Sequence, residues 1–573
     1  MASLRDAFVQ YISRTSYFSL CADIACACLT VYILSALSTS NSRLYPPGPP
    51  GWPIVGNAFQ LPLGKHWLLF DKWTQDYGDI FSISSLGETT IILGSVKAAI
   101  DLLDVRGNIY SDRPPATMAG DLVGWNLGLG YARFDPASPQ PLSSKSLFPV
   151  SSNARFRELR RIFHVSIGPR ACKRPDLVIM QEEERARLLG RLLAITKKDE
   201  NGLDIGHVIR ESTGSLILLL TYGYRITSAH DPLVKIVEDA MLGFARASEP
   251  GAFWVDRWPI LKYIPAWLPF ADFRRKAKLM RDDREKLYDQ PFDYVKSQLR
   301  ENRALTSIVS TFMTSDEDDH SGKEESEIQA EEELVKAAAA SLYSGGAETT
   351  QSSLMSFLLA MLIYPDVLAK AQAEIDAYLG PARESYTCRM PAIEDIQELP
   401  YISALVKEVW RWNPSVPLGL AHRLTEGDAY RGYHIKKGST VYANIWSILH
   451  DPKTYPAPFE FRPERFLDEG GQLRKLEKYE DPGWIAFGFG RRICPGMFLA
   501  ENSISLIIAS LLYVFNIEKA KDVDGMALEP EVDYDGFICH PKPFRCRISP
   551  KSRSAEALIL RELPVPSEDL ILK

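Results

Sequence analysis

Between Phe487 and Gly496 the chain reads Phe-Gly-Phe-Gly-Arg-Arg-Ile-Cys-Pro-Gly, and an apolar run from Met497 to Val514 follows directly. Gly488, Gly490 and Gly496 permit tight turns and a close approach of the backbone to another group. Pro495 and Gly496 open the helix that the apolar run predicts, so Cys494 falls at its N-terminal end. Backbone N–H groups and the helix dipole favour a thiolate at such a position. A lone cysteine is ordinarily a small buried hydrophobe. Here the glycines, the helix terminus and the adjacent Arg491 and Arg492 make Cys494 a candidate ligand. The two arginines suit either anionic carboxylates or a partner protein.

Composition supports one large folded body. The 573 residues are 46% hydrophobic and 24% charged, ordinary globular usage that excludes disorder and coiled coil for the chain as a whole. Lys plus Arg (66) against Asp plus Glu (73) gives a net charge of -7, which removes nucleic acid as a partner class. The 8 cysteines are too sparse for a disulfide scaffold. No P-loop, HExxH or GxSxG motif occurs, and the Gly488/Gly490 pair lacks the third glycine of a dinucleotide fingerprint.

After an N-terminal segment 1–16, the stretch Tyr17 to Leu37 is apolar apart from Asp23 and small polar residues. As a helix it spans roughly 30 Å, enough to cross a bilayer once. A cleaved signal peptide is the alternative reading. Arg5 and Arg14 precede the span and Arg43 follows it, so the positive-inside rule leans weakly against a cytosolic body, and charge alone does not settle orientation. A Pro/Gly-rich hinge (38–56) leads into a domain over 57–555, with a tail at 556–573. Within the domain, Trp67 to Tyr77 and Lys97 to Val105 read as helices around an alternating hairpin at Ile80 to Ile92. The acidic run 315–333 is expected to be a solvated loop. Residues 135–153, rich in Ser and Pro, lie between two copies of Ala-Arg-Phe and read as an insertion, either a surface loop or a translated intron. Aromatics from Phe253 to Phe270, followed by Arg274-Arg275-Lys276, suit either a bilayer interface or packing against the core.

Two further patterns carry chemistry. An apolar segment from about Ile328 to Tyr364 predicts a long helix whose middle reads Gly345-Gly346-Ala347-Glu348-Thr349-Thr350. Two adjacent helical glycines cost about 2 kcal/mol relative to alanine, so they need a reason, either helix packing or room for a ligand. Downstream, Glu408 and Arg411 share a helix face at i, i+3. Leu405, Val409 and Trp412 around them suggest burial rather than a surface ion pair.

Together these segments resemble the cytochrome P450 family of haem-thiolate monooxygenases. Its signature Phe-x-x-Gly-x-Arg-x-Cys-x-Gly is met by Phe487, Gly490, Arg492, Cys494 and Gly496. The resemblance implies a mainly α fold with a small β region, preceded by one N-terminal transmembrane helix. It implies haem as cofactor, with Cys494 the axial ligand of the iron, Phe487 packed over its sulfur and Arg492 beside a propionate. Thiolate ligation of this kind favours O–O cleavage, as this very family illustrates. Gly345 and Gly346 would border the oxygen-binding groove, with Thr349 and Glu348 guiding protons. Glu408, Arg411 and Arg465 would form a structural network. His422 is either a propionate contact or a satisfied structural side chain. Arg160 would hold a propionate, whereas Phe156 stands where the family commonly has tryptophan, which loses one donor.

The implied reaction is oxidation of an apolar small molecule by O2 in fungal secondary metabolism, with terpenoid or aromatic scaffolds as the substrate class. Electrons would come from an NADPH-cytochrome P450 reductase docked at residues such as Arg157, Arg161 and Arg491. The implied location is the endoplasmic reticulum membrane, with the catalytic domain in the cytosol. Alternatives within the same fold are a desaturase, a rearrangement enzyme, or a haem-binding paralogue without activity.

Overall fold

A single helix, Glu325–Ile363, runs through the middle of the molecule and organises everything around it. At 39 residues it is roughly 58 Å long. Pro365 cannot continue it, and the chain turns through 109° into the helix Pro365–Leu379. Its C-terminal half is buried on all sides, among the helices Pro175–Thr196, Pro400–Trp412 and Met497–Val514. Its N-terminal half packs in a second core with the helices Ser152–Ile167, Gly206–Tyr222, Pro232–Ser248 and Asp272–Arg300. The computed structural model describes residues 45–564 except 63, 135–139, 142–148, 151, 197–201, 227–230, 250, 316–324 and 383–387, together with Cys26 and Thr30. Apart from those two positions, the expected membrane span Tyr17–Leu37 lies outside the described residues.

The β region is small, as expected. Ile80–Ser85 and Glu88–Leu93 form an antiparallel hairpin, Thr440–Ala443 joins it in parallel, and His422–Arg423 pairs antiparallel to complete four strands. His422 lies opposite Val441 in this register, which brings the loop after the Glu408/Arg411 helix onto the N-terminal sheet. At the other end, Phe515–Lys519 pairs with Cys546–Pro550, and a hairpin joins Tyr534–Asp535 to His540–Pro541.

Several boundaries differ from the sequence reading. The central helix starts at Glu325, so residues 325–333 are helical rather than part of an acidic loop reaching 333. Acidic residues are favoured at a helix N-terminus, and Glu332 is held by Lys296 at 2.9 Å. The presumed hinge is docked from Pro46 onward: Ser82 donates to the Pro46 carbonyl through Oγ (2.7 Å) and to the Pro47 carbonyl through its amide (2.8 Å). A Cβ on Gly48 would stand 1.9 Å from the Ser82 carbonyl oxygen, so only glycine allows this approach. The presumed tail includes the helix Arg553–Glu562, whose Ala555, Leu558 and Ile559 are buried in the main core. Within the insertion, Gln140–Pro141 pairs with Pro149–Val150, and the helix has already begun at Ser152. The ends of the two flanking repeats meet, with the rings of Phe134 and Phe156 edge to face at 5.5 Å.

Candidate active site

The helix Met497–Val514 is apolar all round because it is a core helix, 78% buried. Gly496 is its N-cap. Before it, Gly488 and Gly490 adopt φ of +86° and +57°, a conformation that glycine alone takes readily. A Cβ at Gly490 would also lie 2.1 Å from the Leu103 carbonyl oxygen. The turn is closed by the Cys494 amide donating to the Phe487 carbonyl at 2.8 Å. Phe487 stands edge to face with Trp410 at 5.1 Å, which fixes its ring. Burial pushes the Cys494 thiol up; the Gly496 amide and the charge of Arg160 pull the other way. A metal cation at the sulfur would add the charge that this site, as protein alone, lacks.

Cys494 opens into a cavity of about 350 Å³ lined also by Gly345, Gly346, Thr349, Phe487, Gly488, Arg113, Arg160, His422 and Arg492. The two glycines of the central helix separate in role. A Cβ at Gly346 would meet Ile217 at 2.8 Å, so this glycine serves helix packing. A Cβ at Gly345 meets nothing within 4 Å, as at Gly488, so Gly345 leaves room in the cavity. Thr349 donates to the Gly345 carbonyl at 2.7 Å, and its own carbonyl accepts from Ser415 at 3.1 Å. Glu348 does not line the cavity; its carboxylate faces His540 at 3.2 Å.

The floor of the cavity carries an excess of positive charge, since Asp112, itself paired with Arg133 at 2.6 Å, offsets Arg113 and Arg492 only in part. Arg492 donates to the carbonyls of Ser111 (2.7 Å) and Ala132 (2.6 Å), and Arg160 to that of Ile493 (2.6 Å). Arg113, which sequence reasoning missed as a site residue, donates to the carbonyls of Gly130, Leu420 and Ala421. Among the described residues none of these three arginines pairs with a carboxylate. Burial drives Arg492 well below its ordinary range and Arg113 down to about 10, and mutual repulsion lowers Arg492 further. His422, also buried, receives the same treatment from burial, Arg113 and Arg492, and its Nδ1 sits 2.8 Å from the Tyr110 carbonyl. Since a carbonyl only accepts, Nδ1 carries the proton there. Guanidinium groups withdrawn from water and only partly compensated are costly. A flat group bearing carboxylates would relieve them and fill the space between Gly345 and Gly488, and a buried thiolate would face its centre. The residues present therefore fit haem.

Phe156, the departure noted in sequence, lies beneath Arg492, whose guanidinium carbon is 4.1 Å from the ring centroid. The lost indole donor is thus replaced by a cation–π contact that steadies the arginine. Away from the cavity, Glu408 receives two hydrogen bonds from Arg411 (2.7 and 2.9 Å), one from Arg465 and one from the Arg462 amide. Glu408 and Arg411 are fully buried. Arg411 also donates to the carbonyls of Leu449, Pro458 and Glu460, so the network knits the helix Pro400–Trp412 to the following loops.

Comparison with known proteins agrees with this geometry. The family model Cytochrome P450 matches residues 46–548. The chain belongs to the cytochrome P450 family. It is 41% identical over 515 residues to Cytochrome P450 monooxygenase 208 of Postia placenta, covering 90% of this chain and 92% of that one. It is 38% identical to Cytochrome P450 monooxygenase claR of Ampulloclitocybe clavipes, with 94% and 92% covered. It is 36% identical to Tryptamine 4-monooxygenase of Psilocybe cyanescens, with 91% and 96% covered. The chain is thus a fungal-type cytochrome P450 monooxygenase, and members of this family bind haem.

Proposed function

We propose that this P450 inserts one atom of O2 into an apolar, flat small molecule of secondary metabolism, using haem held by Cys494. The observation that carries this reading is the single cavity shared by Cys494, Thr349 and an aromatic wall. Trp125, Tyr131 and Phe537 surround Phe244 with ring centroids 4.9, 5.9 and 6.0 Å from it. Such a wall favours planar apolar substrates over charged ones. The bound haem supplies O2 activation. Cys494 would ligate the iron, Arg113, Arg160 and Arg492 would take up the propionate charge, and Phe487 would shield the sulfur from water; His422, neutral with its proton on Nδ1, braces the Tyr110 carbonyl instead. Thr349 presents a hydroxyl to the cavity, and Glu348 is the nearest acid on the same helix to recharge it with protons. Electrons come from an NADPH-dependent reductase, for which the exposed Arg157, Arg161 and Arg491 offer a basic face.

Membrane attachment belongs to the same reading. Trp254, Tyr263, Trp267 and Phe270 are exposed, the last by 91%, as are Trp52, Ile54 and Phe59. Leu86 joins the two groups: its amide donates to the Val55 carbonyl and its carbonyl accepts from Arg257. One broad apolar face results, suited to a bilayer interface. Asp256, in the same segment as Trp254, accepts from the Met118 amide at 2.7 Å, and entry of an apolar substrate from lipid is part of this proposal.

The test is the full chain expressed with its reductase in microsomes. The dithionite-reduced protein gives a red-shifted Soret band with CO, the Cys494→Ala variant gives none, and ¹⁸O2 labels the product by one atom. A well-expressed protein without the band, or a product without label, would overturn the monooxygenase reading.

A further inference from the structure

The stretch from Ser111 to Phe134 forms one wall of the cavity, to which Arg113, Trp125, Gly128, Leu129, Gly130 and Tyr131 contribute. The central helix holds its middle, where the Leu129 amide donates to Ser341 Oγ at 3.0 Å. Its two ends are drawn together at a neck. Arg133 donates to both carboxylate oxygens of Asp112, through Nε at 2.9 and 3.1 Å and through Nη2 at 2.6 Å, and the Phe134 amide donates to the same carboxylate at 2.8 Å. Asp112 is fully buried, with Arg423 standing off at 3.7 Å. Arg492 spans the same neck through the carbonyls of Ser111 and Ala132. Those bonds weaken if Arg492 turns to a propionate. The Asp112–Arg133 pair closes the neck without it.

Arg133 is the arginine of the first Ala-Arg-Phe copy. The arginine of the second copy, Arg155, has another task. It lies in the first turn of the helix Ser152–Ile167, buried, and its Nη2 donates to the Leu127 carbonyl at 2.8 Å. Leu127 ends the turn that begins at Trp125, so Arg155 holds the wall at its aromatic end while Arg133 holds its neck. The titratable groups beside Arg155 are Tyr288 and Glu333, from the helix Asp272–Arg300 and the central helix. The two copies lie side by side, joined by the contact of Phe134 with Phe156. Each guanidinium nevertheless turns to its own target. A single Ala-Arg-Phe has one guanidinium and serves one target.

We propose that Arg133 and Arg155 are positioning residues, two anchors of the cavity wall supplied by the repeat, and that the chain between the copies is the spacer that lets both be present. The proposal rests on the reading that substrate binds in this cavity. It makes the repeat a determinant of which aromatic ligands the pocket holds, and it leaves the Cys494 turn untouched.

The test uses the full-length ferric holoenzyme and two probes titrated by their Soret shifts. Imidazole needs only the iron position; the phenyl ring of 4-phenylimidazole must also fit against the wall. Removing Arg133 alone strands a buried carboxylate and risks the fold. The neck is therefore opened with the neutral pair Asp112→Asn and Arg133→Gln, and the aromatic end with Arg155→Met. A third variant lacks residues 135–156, which fuses the copies around one arginine. In all three the CO band and imidazole affinity are native, and the advantage of 4-phenylimidazole over imidazole falls roughly two- to tenfold, the worth of a lost hydrogen bond. Amides of residues 113–131 exchange deuterium several-fold faster. Arg133→Lys keeps the charge pair and falls between the native enzyme and the neutral pair. A native phenyl advantage in any of the three variants overturns the proposal. Loss of the CO band in any of them places the arginines in the haem site or the fold and overturns it as well. Binding is the readout, so a product without ¹⁸O would overturn the monooxygenase reading and leave this result standing.

Discussion

The guanidinium of Arg492 rests on the ring of Phe156, 4.1 Å from its centroid, and makes its hydrogen bonds only to main-chain carbonyls. The stack orients the arginine while leaving its charge available. A cation–π contact of this kind is worth about 0.5–2 kcal/mol. Phe156→Ala therefore releases haem roughly two- to thirtyfold faster to a haem scavenger. Phe156→Trp keeps the stack, adds an N–H donor and slows release.

The two helical glycines predict opposite outcomes. Gly345→Ala gains about 1 kcal/mol of helix propensity and raises the melting temperature, but its methyl occupies the cavity and weakens ligand-induced spectral shifts. Gly346→Ala meets Ile217 at 2.8 Å and is destabilising; Ile217→Val restores part of the loss.

Removing one member of the buried Glu408 network leaves an uncompensated charge. Glu408→Gln lowers stability by about 3–5 kcal/mol, read as a shift of the denaturation midpoint, with loss of haem as unfolding proceeds. Arg465, nearer the surface and bonded to Glu408 at 3.2 Å, gives the smaller effect when replaced by lysine.

His450 predicts a weakness toward acid. It is buried, stacked on Trp446 at 3.9 Å, and lowered to about 3 by burial and by the charge of Arg411. Above pH 6.5 the folded and unfolded states are both neutral here and the residue has no pH effect. As pH falls from 6.5 toward 3, the unfolded chain binds a proton that the folded protein refuses, so stability is lost across that window. Full protonation in the unfolded state costs on the order of 3–5 kcal/mol by pH 3. His450→Phe flattens this part of the stability curve, measured by denaturant titration at pH 4, 5 and 7.

What could be read from sequence was what neighbours in sequence decide. The spacing from Phe487 to Gly496 encodes a turn, a helix start and a thiol in one local unit, and the pairing of Glu408 with Arg411 needs only one helix turn. Arg113 and His540 could not be read in this way. Arg113 reaches the cavity because its guanidinium holds carbonyls about 307 positions downstream, those of Leu420 and Ala421. His540 meets Glu348 because a late hairpin docks on the central helix. Neither contact leaves a periodic or spaced trace, since both depend on how the C-terminal strands return to the core. The boundary errors have another origin. Acidic residues suit a loop and a helix N-terminus equally, and only the Lys296 partner of Glu332 decides which they form.

The edge-to-face meeting of Phe134 and Phe156 has a consequence for how this chain can change. A segment whose two ends already touch has its closure paid once by the flanking structure, and each doubling of its length costs only about 0.6 kcal/mol more. The stretch between these rings is therefore a port in the sequence, open to drift in length and content. Whatever is spliced into this stretch lengthens a segment that the two rings already close, and leaves Arg113 before it and Phe156 and Arg160 after it in place.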